Sequence, residues 1–369
     1  MRWLIAVVLL ASGVCQAQSG YTIPLEELNP SLAIPAMAAR DGVVYAAYRS
    51  FDLLRFSNQL HVLSYDLSTH KELRRVTISV PKVHGARASE GLFLSTDGKT
   101  LAYSETYSPE LVLLLSTQDL SEIRRVTALP FAADDRKRMF AGFEGSNILA
   151  FASVKGDRLR FIRLNASDLK TATDTLGPGQ PNFQNIVWSP KDRITWLPTL
   201  SEEWQEYTER GQKTGEQFGS HAQYRIDHGA ALAGNSTFLA YFGNLSDAGS
   251  IVSFSGGHPS ELTLPCVPRP YSSGDVAGYA GALCTTSPDR EPEHGGDKIL
   301  SSEFLLLKAG GPTVVWKHPM DFLAVADSDD PDTGVQWGDP LLYRDGSKLL
   351  IVAPTKKPEL AVYEVSLSE

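Results

Sequence analysis

Short apolar runs that alternate with polar residues cover most of the chain, and polar or glycine-containing turns separate them. Residues 94–103, LSTDGKTLAY, show the pattern most clearly, with one alternating run before Asp97-Gly98 and another after it. Alternation with a period of two is typical of strands with one buried face. Asp-Gly between two such runs indicates a β-hairpin with a two-residue turn, in which glycine readily adopts the positive φ that the turn needs. The pattern therefore predicts hairpins rather than helices.

Related turns recur along the chain near residues 42, 98, 145, 192, 235 and 346. Successive turns are about 40 to 55 residues apart, except for the last interval, which is about twice as long and should contain a degenerate copy. A period in the forties, built from short strands, is typical of β-propeller blades. The repeat thus predicts seven units in one ring.

The internal order of a unit is clearest in the second one, where strands are predicted at 92–95, 101–105, 110–116 and 122–127. The fourth strands of the first two units are near copies, LRRVT at 73–77 and IRRVT at 123–127. This match sets the register of the repeat. The degenerate sixth unit is expected to have strands at 267–271, 281–285, 302–308 and 313–318.

The two ends of the chain complement each other in this scheme. The last unit has only three strands, at 340–343, 349–353 and 360–367, whereas residues 21–28 form a strand without a unit. Ring closure removes the exposed edges that an open sheet must protect. We therefore predict an all-β, seven-bladed propeller of four antiparallel strands per blade, in which the N-terminal strand completes the last blade. Blades cannot bury their faces alone, so residues 18–369 should form a single domain.

Three stretches resemble the secreted β-propellers with WD-repeat-like or YVTN-like blades. They are STDGKTLA at 95–102, DGSKL at 345–349 and the strand exit YDLS at 65–68. The resemblance implies the fold and not an activity, because members include binding modules, assembly scaffolds, lactonases and quinone-dependent dehydrogenases. No motif carries any member's catalytic residues over to this chain, and the Gly-His and Trp-Asp marks of intracellular WD repeats do not recur.

The first 17 residues have the organisation of a secretory signal peptide. Arg2 provides the positive charge, residues 4–10 form the apolar segment, and Cys15-Gln16-Ala17 provides small residues for cleavage after Ala17. The apolar run is too short to span a bilayer, and no other run is long enough. A lipid anchor on Cys15 is the alternative, although Val14 before it fits that signal poorly. The protein is predicted to be secreted or periplasmic.

Removal of this segment leaves two cysteines, Cys266 and Cys284. An isolated pair in an exported protein favours a disulfide, with two buried free thiols as the alternative. A zinc site would need further ligands at close spacing, and none are present.

Composition narrows the classes of partner. Hydrophobic residues make up 42% of the chain and charged residues 21%, as in a folded globular protein, and the net charge is −9. A net negative charge argues against a nucleic-acid partner, because binding to nucleic acid requires a positively charged protein surface. No HExxH, GxSxG or glycine-rich phosphate loop occurs, so the sequence leaves open whether the protein is an enzyme.

Two acidic insertions interrupt the repeat. Residues 326–334, ADSDDPDTG, contain Asp327, Asp329, Asp330 and Asp332, which are candidate oxygen ligands for calcium. The spacing differs from an EF-hand, and a solvated acidic loop is the alternative. Residues 289–297 contain His294 among carboxylates, and this insertion between strands is a candidate binding element.

Three tryptophans of the fourth unit, Trp188, Trp196 and Trp204, lie near several glutamates in the sequence. Aromatic rings beside carboxylates can bind sugars or cations. The same rings can equally pack between blades, so both roles are left open.

The sequence thus predicts an exported propeller, expected to be a monomer, that acts as a binding or scaffold module. Its ligand would be a protein, a small molecule or a sugar. The alternative is a propeller hydrolase or lactonase with a metal in the central channel, for which acidic or His side chains from several blades would have to converge on the axis.

Overall fold

The computed structural model describes residues 20–26, 28, 34–52, 57–80, 90–105, 109–179, 186–198, 204–218, 226–233, 237–243, 248–255, 258–270, 276, 278–286, 301–319, 324–325, 336–337, 340–355 and 357–366. Within these ranges the chain forms strands and turns and no helix. Seven four-stranded antiparallel sheets follow one another along the chain. The protein is a seven-bladed β-propeller, as the repeat predicts.

The first three blades have their strands in simple sequential order. Blade 1 contains β2 (Ala36–Arg40), β3 (Val43–Asp52), β4 (Ser57–Asp66) and β5 (Lys71–Val80). Blade 2 contains β6 (Glu90–Leu94), β7 (Thr100–Glu105), β8 (Val112–Ser116) and β9 (Glu122–Val126). Blade 3 contains β10 (Arg136–Glu144), β11 (Ile148–Lys155), β12 (Arg158–Asn165) and β13 (Thr171–Gly179).

Blades 4 to 6 repeat the same order, including the degenerate sixth unit. Blade 4 contains β14 (Val187–Ser189), β15 (Ile194–Pro198), β16 (Trp204–Thr208) and β17 (Lys213–Phe218). Blade 5 contains β18 (Ile226–Ala233), β19 (Thr237–Gly243), β20 (Gly249–Ser255) and β21 (His258–Leu264). Blade 6 contains β22 (Val267–Pro270), β23 (Tyr279–Thr286), β24 (Ser301–Lys308) and β25 (Thr313–Pro319). A separate two-stranded sheet follows, with β26 (Ala324–Val325) and β27 (Gln336–Trp337).

The N-terminal strand closes the ring. Blade 7 contains β28 (Leu341–Asp345), β29 (Lys348–Pro354) and β30 (Glu359–Ser366), and its fourth strand is β1 (Thr22–Pro24). Ile23 lies opposite Leu360 in the pairing and is fully buried. The predicted closure by the N-terminal strand is therefore confirmed.

The position of each strand in the ring follows from its contacts. First strands lie nearest the axis, because β2 contacts both β6 and β28, and β6 contacts β10. Fourth strands lie at the outer edge and carry exposed apolar side chains such as Leu73 and Ile123. We call the face at which the first strands begin the upper face. The lower face is the one at which first strands turn into second strands.

The turns between first and second strands differ in detail from the sequence expectation. Asp41 and Gly42 join β2 to β3 and have φ of 50° and 77°, as a two-residue turn with positive φ at both positions requires. At the corresponding place in blade 2, β6 ends at Leu94 and β7 begins at Thr100. The prediction of a two-residue turn at Asp97-Gly98 is therefore wrong.

The longer connection in blade 2 has a local cause in its side chains. The Ser95 hydroxyl donates to Asp97 Oδ1 over 2.7 Å and accepts from the backbone N–H of Thr100 over 3.0 Å. Asp97 Oδ1 also accepts from the backbone N–H of Lys99. Ser and Asp side chains that bind nearby N–H groups stabilise turns in place of strand pairing. Gly98 alone then needs a positive φ, of 70°.

The hydrophobic core consists of layers between neighbouring blades. Leu60 and Val62 of blade 1 pack with Leu101 and Leu113 of blade 2, and all four are fully buried. Equivalent layers continue around the described part of the ring. Each blade therefore depends on its neighbours for burial of its apolar faces.

The fourth strands of blades 1 and 2 share a β-bulge. Arg74 pairs with Ser64 and Glu72 with Tyr65, so Leu73 has no partner in the ladder and is 48% exposed. Ile123 occupies the same bulged position in β9 and is 55% exposed. A bulge on an edge strand discourages pairing with another chain. The near-copy sequences LRRVT and IRRVT therefore place the same bulge on the outer edge of two consecutive blades.

The second arginine of each copy connects neighbouring blades. Arg75 Nη2 donates to the carbonyl oxygen of Pro24 in β1 over 3.2 Å. Arg125 Nη1 donates to the carbonyl of Ser79 in blade 1 over 3.1 Å. Each arginine thus reaches the outer strand of the preceding blade. The contact of Arg75 binds β1, the strand that closes the ring.

Cys266 and Cys284 form a disulfide, with a Cα–Cα distance of 5.6 Å. Cys266 immediately precedes β22, and Cys284 lies in the neighbouring strand β23. Both cysteines are buried in the layer between blades 5 and 6. The predicted pairing is confirmed.

Candidate functional site

The insertions predicted to carry ligands lie outside the described residues. This applies to Asp327, Asp329, Asp330 and Asp332 and also to His294. The paired strands β26 and β27 flank the four aspartates in the sequence. Calcium binding at these aspartates and ligand binding at His294 stay predictions.

The three tryptophans of blade 4 lie in the core. Trp188 packs on Phe161, and Trp196 and Trp204 both pack on Phe238, with ring centroids 5.0 to 5.2 Å apart. Their exposed fractions are 8%, 6% and 0% in that order. The structure thus places these rings in the packing role that the sequence left open beside ligand binding.

A charged cluster lies instead at the upper face, in the seam between blades 1 and 2. Arg49 is near the end of β3, whereas Glu90 begins β6 and lies opposite Glu105 at the end of β7. Tyr103 belongs to the same strand as Glu105. We call Arg49, Glu90, Tyr103 and Glu105 the Arg49 cluster. It sits where polar strand ends of two blades meet around an otherwise apolar layer.

The contacts within the Arg49 cluster leave one atom without a partner. Arg49 Nε lies 2.9 Å from Glu90 Oε1 and donates to the Tyr103 hydroxyl over 2.6 Å. Arg49 Nη2 binds Glu105 Oε1. Glu90 Oε2 has less than 1 Å² of exposed surface and no hydrogen-bond partner. A buried acceptor without a donor is costly, so this atom requires an explanation.

The environment of Glu90 disfavours its charged form. Burial raises its pKa from 4.5 to about 7, and the nearby Glu105 carboxylate acts in the same direction. Arg49 and the Tyr103 hydroxyl act in the opposite direction and do not outweigh burial. Burial, followed by the effect of Glu90, also raises the pKa of Tyr103, so the phenol stays neutral at physiological pH. Glu90 therefore exchanges a proton in the physiological range.

This arrangement has two chemical capabilities. A carboxyl group with a pKa near 7 can accept or release a proton near neutral pH, as general acids and bases do. Its unpaired oxygen can also accept a hydrogen bond from a group that enters the seam, because the atom is buried there. Strongly shifted pKa values are found at functional sites and also in structural ion-pair networks. A second buried ion-pair network in this protein can therefore be compared with the Arg49 cluster.

Such a network lies at the lower face between blades 3 and 4. Arg163 binds Glu209 with two hydrogen bonds of 2.6 and 2.9 Å, and its Nε binds Glu144. It also donates to the carbonyl of Pro190, and the Trp188 indole N–H donates to Glu209 Oε1 over 2.9 Å. Neither glutamate has a buried oxygen without a partner. We call Arg163, Glu144 and Glu209 the Arg163 network.

The described residues contain no group of three or more His, Cys, Asp or Glu side chains that could hold a metal ion. In the same part of the chain, no helix is long and apolar enough to cross a membrane.

The sequence contains a weak signal for the Arg49 cluster that the alternation of apolar and polar residues does not reveal. Arg49 and Glu105 occupy equivalent positions at the ends of the second strands that follow Asp41-Gly42 and Asp97-Gly98. Opposite charges at equivalent places in consecutive blades indicate an ion pair across the seam. Glu90 has no such signal: the β6–β7 pairing places it opposite Glu105, and the packing of blade 2 against blade 1 brings it to Arg49.

Comparison with known proteins gives the fold alone. No protein-family model and no curated protein matches the chain. Among solved structures, the chain is similar to U3-55K, with a TM-score of 0.53, 12% identity and coverage of 94% of this chain and 98% of that one. A chain in the mitotic checkpoint complex has a TM-score of 0.51 and 10% identity over 99% of both chains.

The acylaminoacyl peptidase of Pyrococcus horikoshii is also similar, with a TM-score of 0.51 and 12% identity. The match covers 93% of this chain and 54% of the peptidase. The present chain therefore spans about half the length of that enzyme. Identities this low carry no information on activity.

Proposed function

We propose that this protein is an exported ligand-binding propeller whose binding site is the Arg49 cluster on the upper face. The observation that carries the proposal is the buried, unpartnered Glu90 Oε2. Folding leaves this acceptor without a donor inside the seam, and a bound ligand would provide one. The charged side chains around it would then orient the ligand.

Export is part of the same proposal. The arrangement of residues 1–17 and the disulfide between Cys266 and Cys284 both support it, because disulfides persist in oxidising compartments. The alternative, a metal-dependent hydrolase or lactonase, has no comparable observation in its favour among the described residues.

The experiment is a thermal-shift screen of the mature protein against small polar compounds, with equal numbers of cations, neutral molecules and anions. A ligand at about 100 times its Kd stabilises the folded state by about 2.7 kcal/mol, which corresponds to about 4 °C for a chain of this size. We expect ligands that stabilise the wild type and lose this effect with Glu90→Gln.

The matched control is Glu144→Gln, which alters a carboxylate of similar burial that also binds an arginine, at the opposite face. This variant should keep the ligand-induced shift. The proposal fails if no compound stabilises the wild type, or if both variants respond to the ligands as the wild type does.

A further inference from the structure

Among the described residues, the charges of the Arg49 cluster do not balance. Arg49 provides one positive charge, and it faces two carboxylates, Glu90 and Glu105. Tyr103 stays neutral and cannot compensate the second carboxylate. When Glu90 is ionised, the cluster therefore carries one excess negative charge in a largely buried seam, where charge is costly.

The hydrogen bonds within the cluster show where the unpaired acceptor lies. Arg49 binds Glu105 through Nη2, and Tyr103 and Glu90 through Nε. Glu105 Oε2 accepts from the backbone N–H of Glu110 over 3.4 Å. Glu90 Oε2 is the acceptor that remains. A group that satisfies the cluster must therefore donate a hydrogen bond at Glu90 and bring a positive charge.

From this geometry we infer that the site takes the ammonium group of a small cationic ligand, which donates its hydrogen bond to Glu90 Oε2. The inference rests on the proposed function, since it names the class of ligand for the same site. An anion is disfavoured because Arg49 already binds two carboxylates. A divalent cation prefers six or more oxygen ligands, and the described residues provide only two carboxylates here.

Binding of an ammonium group at this position should depend on pH. Within the described ranges, the titratable and charged groups that act on Glu90 are Arg49 from blade 1 and Tyr103 and Glu105 from its own blade. On the axial side, the neighbouring strand β2 contributes the small apolar residues Ala36 and Ala38 to the layer. The described cluster carries an excess negative charge only when Glu90 is ionised, and the pKa of Glu90 is about 7. Affinity should therefore rise by about tenfold from pH 6 to pH 8.

The test uses three probes that share a four-carbon chain and differ in charge: n-butylammonium, n-butanol and butyrate. Ligand-observed NMR with the mature protein measures the affinity of each at pH 6 and pH 8. We expect n-butylammonium to bind best, and about tenfold more tightly at pH 8. Glu90→Gln should abolish this preference, whereas Glu144→Gln should preserve it.

Four results would overturn the inference: no binding of n-butylammonium, equal binding of n-butanol, preferred binding of butyrate, or affinity that does not change with pH. The wild-type measurements are sufficient for this decision even if a variant does not fold. If the thermal-shift screen finds neutral or anionic ligands that depend on Glu90, the ligand class is wrong and the site stands. If it finds no Glu90-dependent ligand, both proposals fail.

Discussion

The Arg49 cluster and the Arg163 network are built from the same parts and differ in how completely those parts are satisfied. Each joins two blades through one arginine and two glutamates. Around Arg163, both glutamates have all their buried oxygens paired, with Trp188 as a further donor. Around Arg49, one oxygen of Glu90 is buried and unpaired.

In our proposal, this difference separates a structural role from a functional one. A fully satisfied buried ion pair stabilises one geometry and has nothing left to offer a ligand. An incompletely satisfied ion pair lowers stability. Proteins keep such a pair where a bound group compensates for the loss. The Arg163 network therefore acts as a clamp between blades 3 and 4, whereas the Arg49 cluster is the candidate site.

The largest expected effect is on the clamp. Arg163→Met leaves Glu209 buried without its partner, and the free energy of unfolding should fall by about 3–5 kcal/mol. Equilibrium unfolding in urea measures this loss. Arg344→Met is the control, because Arg344 is exposed and donates to the turn carbonyl of Gly346, and it should change stability by less than about 0.5 kcal/mol. A loss below about 1 kcal/mol for Arg163→Met would show that the Arg163 network does not act as a clamp between blades 3 and 4.

The second prediction concerns the pH dependence that Glu90 contributes. Its pKa is higher in the folded chain than its ordinary value, so the folded state binds the extra proton. The stability associated with this proton is fully present below about pH 4.5 and is lost as pH rises through 7, to a total of about 3 kcal/mol.

Thermal unfolding between pH 5 and pH 8 tests this sign. Glu90→Gln should lose less stability over that range than the wild type, because glutamine does not titrate. Glu144→Gln leaves Glu90 in place and should therefore keep the contribution of Glu90 to the slope. Parallel curves for Glu90→Gln and the wild type would show that Glu90 ionises in the folded state as it does in the unfolded chain.

A smaller effect is expected at Tyr103. Tyr103→Phe removes a hydroxyl that accepts from Arg49 and favours ionised Glu90. Stability should fall by about 1–2 kcal/mol, and the pKa of Glu90 should rise further. Tyr241→Phe removes a similarly buried hydroxyl bound to the carbonyl of Gly281. It should cost a similar amount of stability without changing the pKa of Glu90. If both substitutions shift that pKa alike, the Tyr103 hydroxyl does not act on Glu90 specifically.

The smallest effect is expected at the exposed edge. Arg125 binds Glu122 and the carbonyl of Ser79, with its side chain 32% exposed. Exposed pairs of this kind contribute less than about 1 kcal/mol. Arg125→Ala should therefore change the urea midpoint only slightly. A loss as large as that of Arg163→Met would show that exposed and buried contacts between blades are equally important.

The sequence predicts the propeller well because its information is local. The strands of blade 2, the degenerate blade 6 and the closing strand β1 all follow from alternation, turn residues and the repeat. The turn at Asp97-Gly98 was less predictable, since the Ser95 and Asp97 side chains stabilise a longer connection than the Asp-Gly pattern indicates. The error concerns the turn and leaves the blade unchanged.

The candidate site was not predictable in the same way. Glu90 and Arg49 come from different blades, and nothing in the local pattern around either residue indicates that they meet. The three tryptophans of blade 4 were conspicuous in the sequence because they lie close together near glutamates, and packing in the propeller buries them. Chemistry at a seam between blades is set by ring geometry, which sequence periodicity does not specify.

The most direct test of the central claim is the affinity of the strongest stabilising ligand from the thermal-shift screen, measured by isothermal titration calorimetry in two variants. We predict that Glu90→Gln weakens binding by about tenfold or more, the equivalent of about 1.4 kcal/mol. Glu144→Gln should stay within about twofold of the wild type. If both variants bind as the wild type does, or if Glu144→Gln alone loses affinity, the Arg49 cluster is not the binding site.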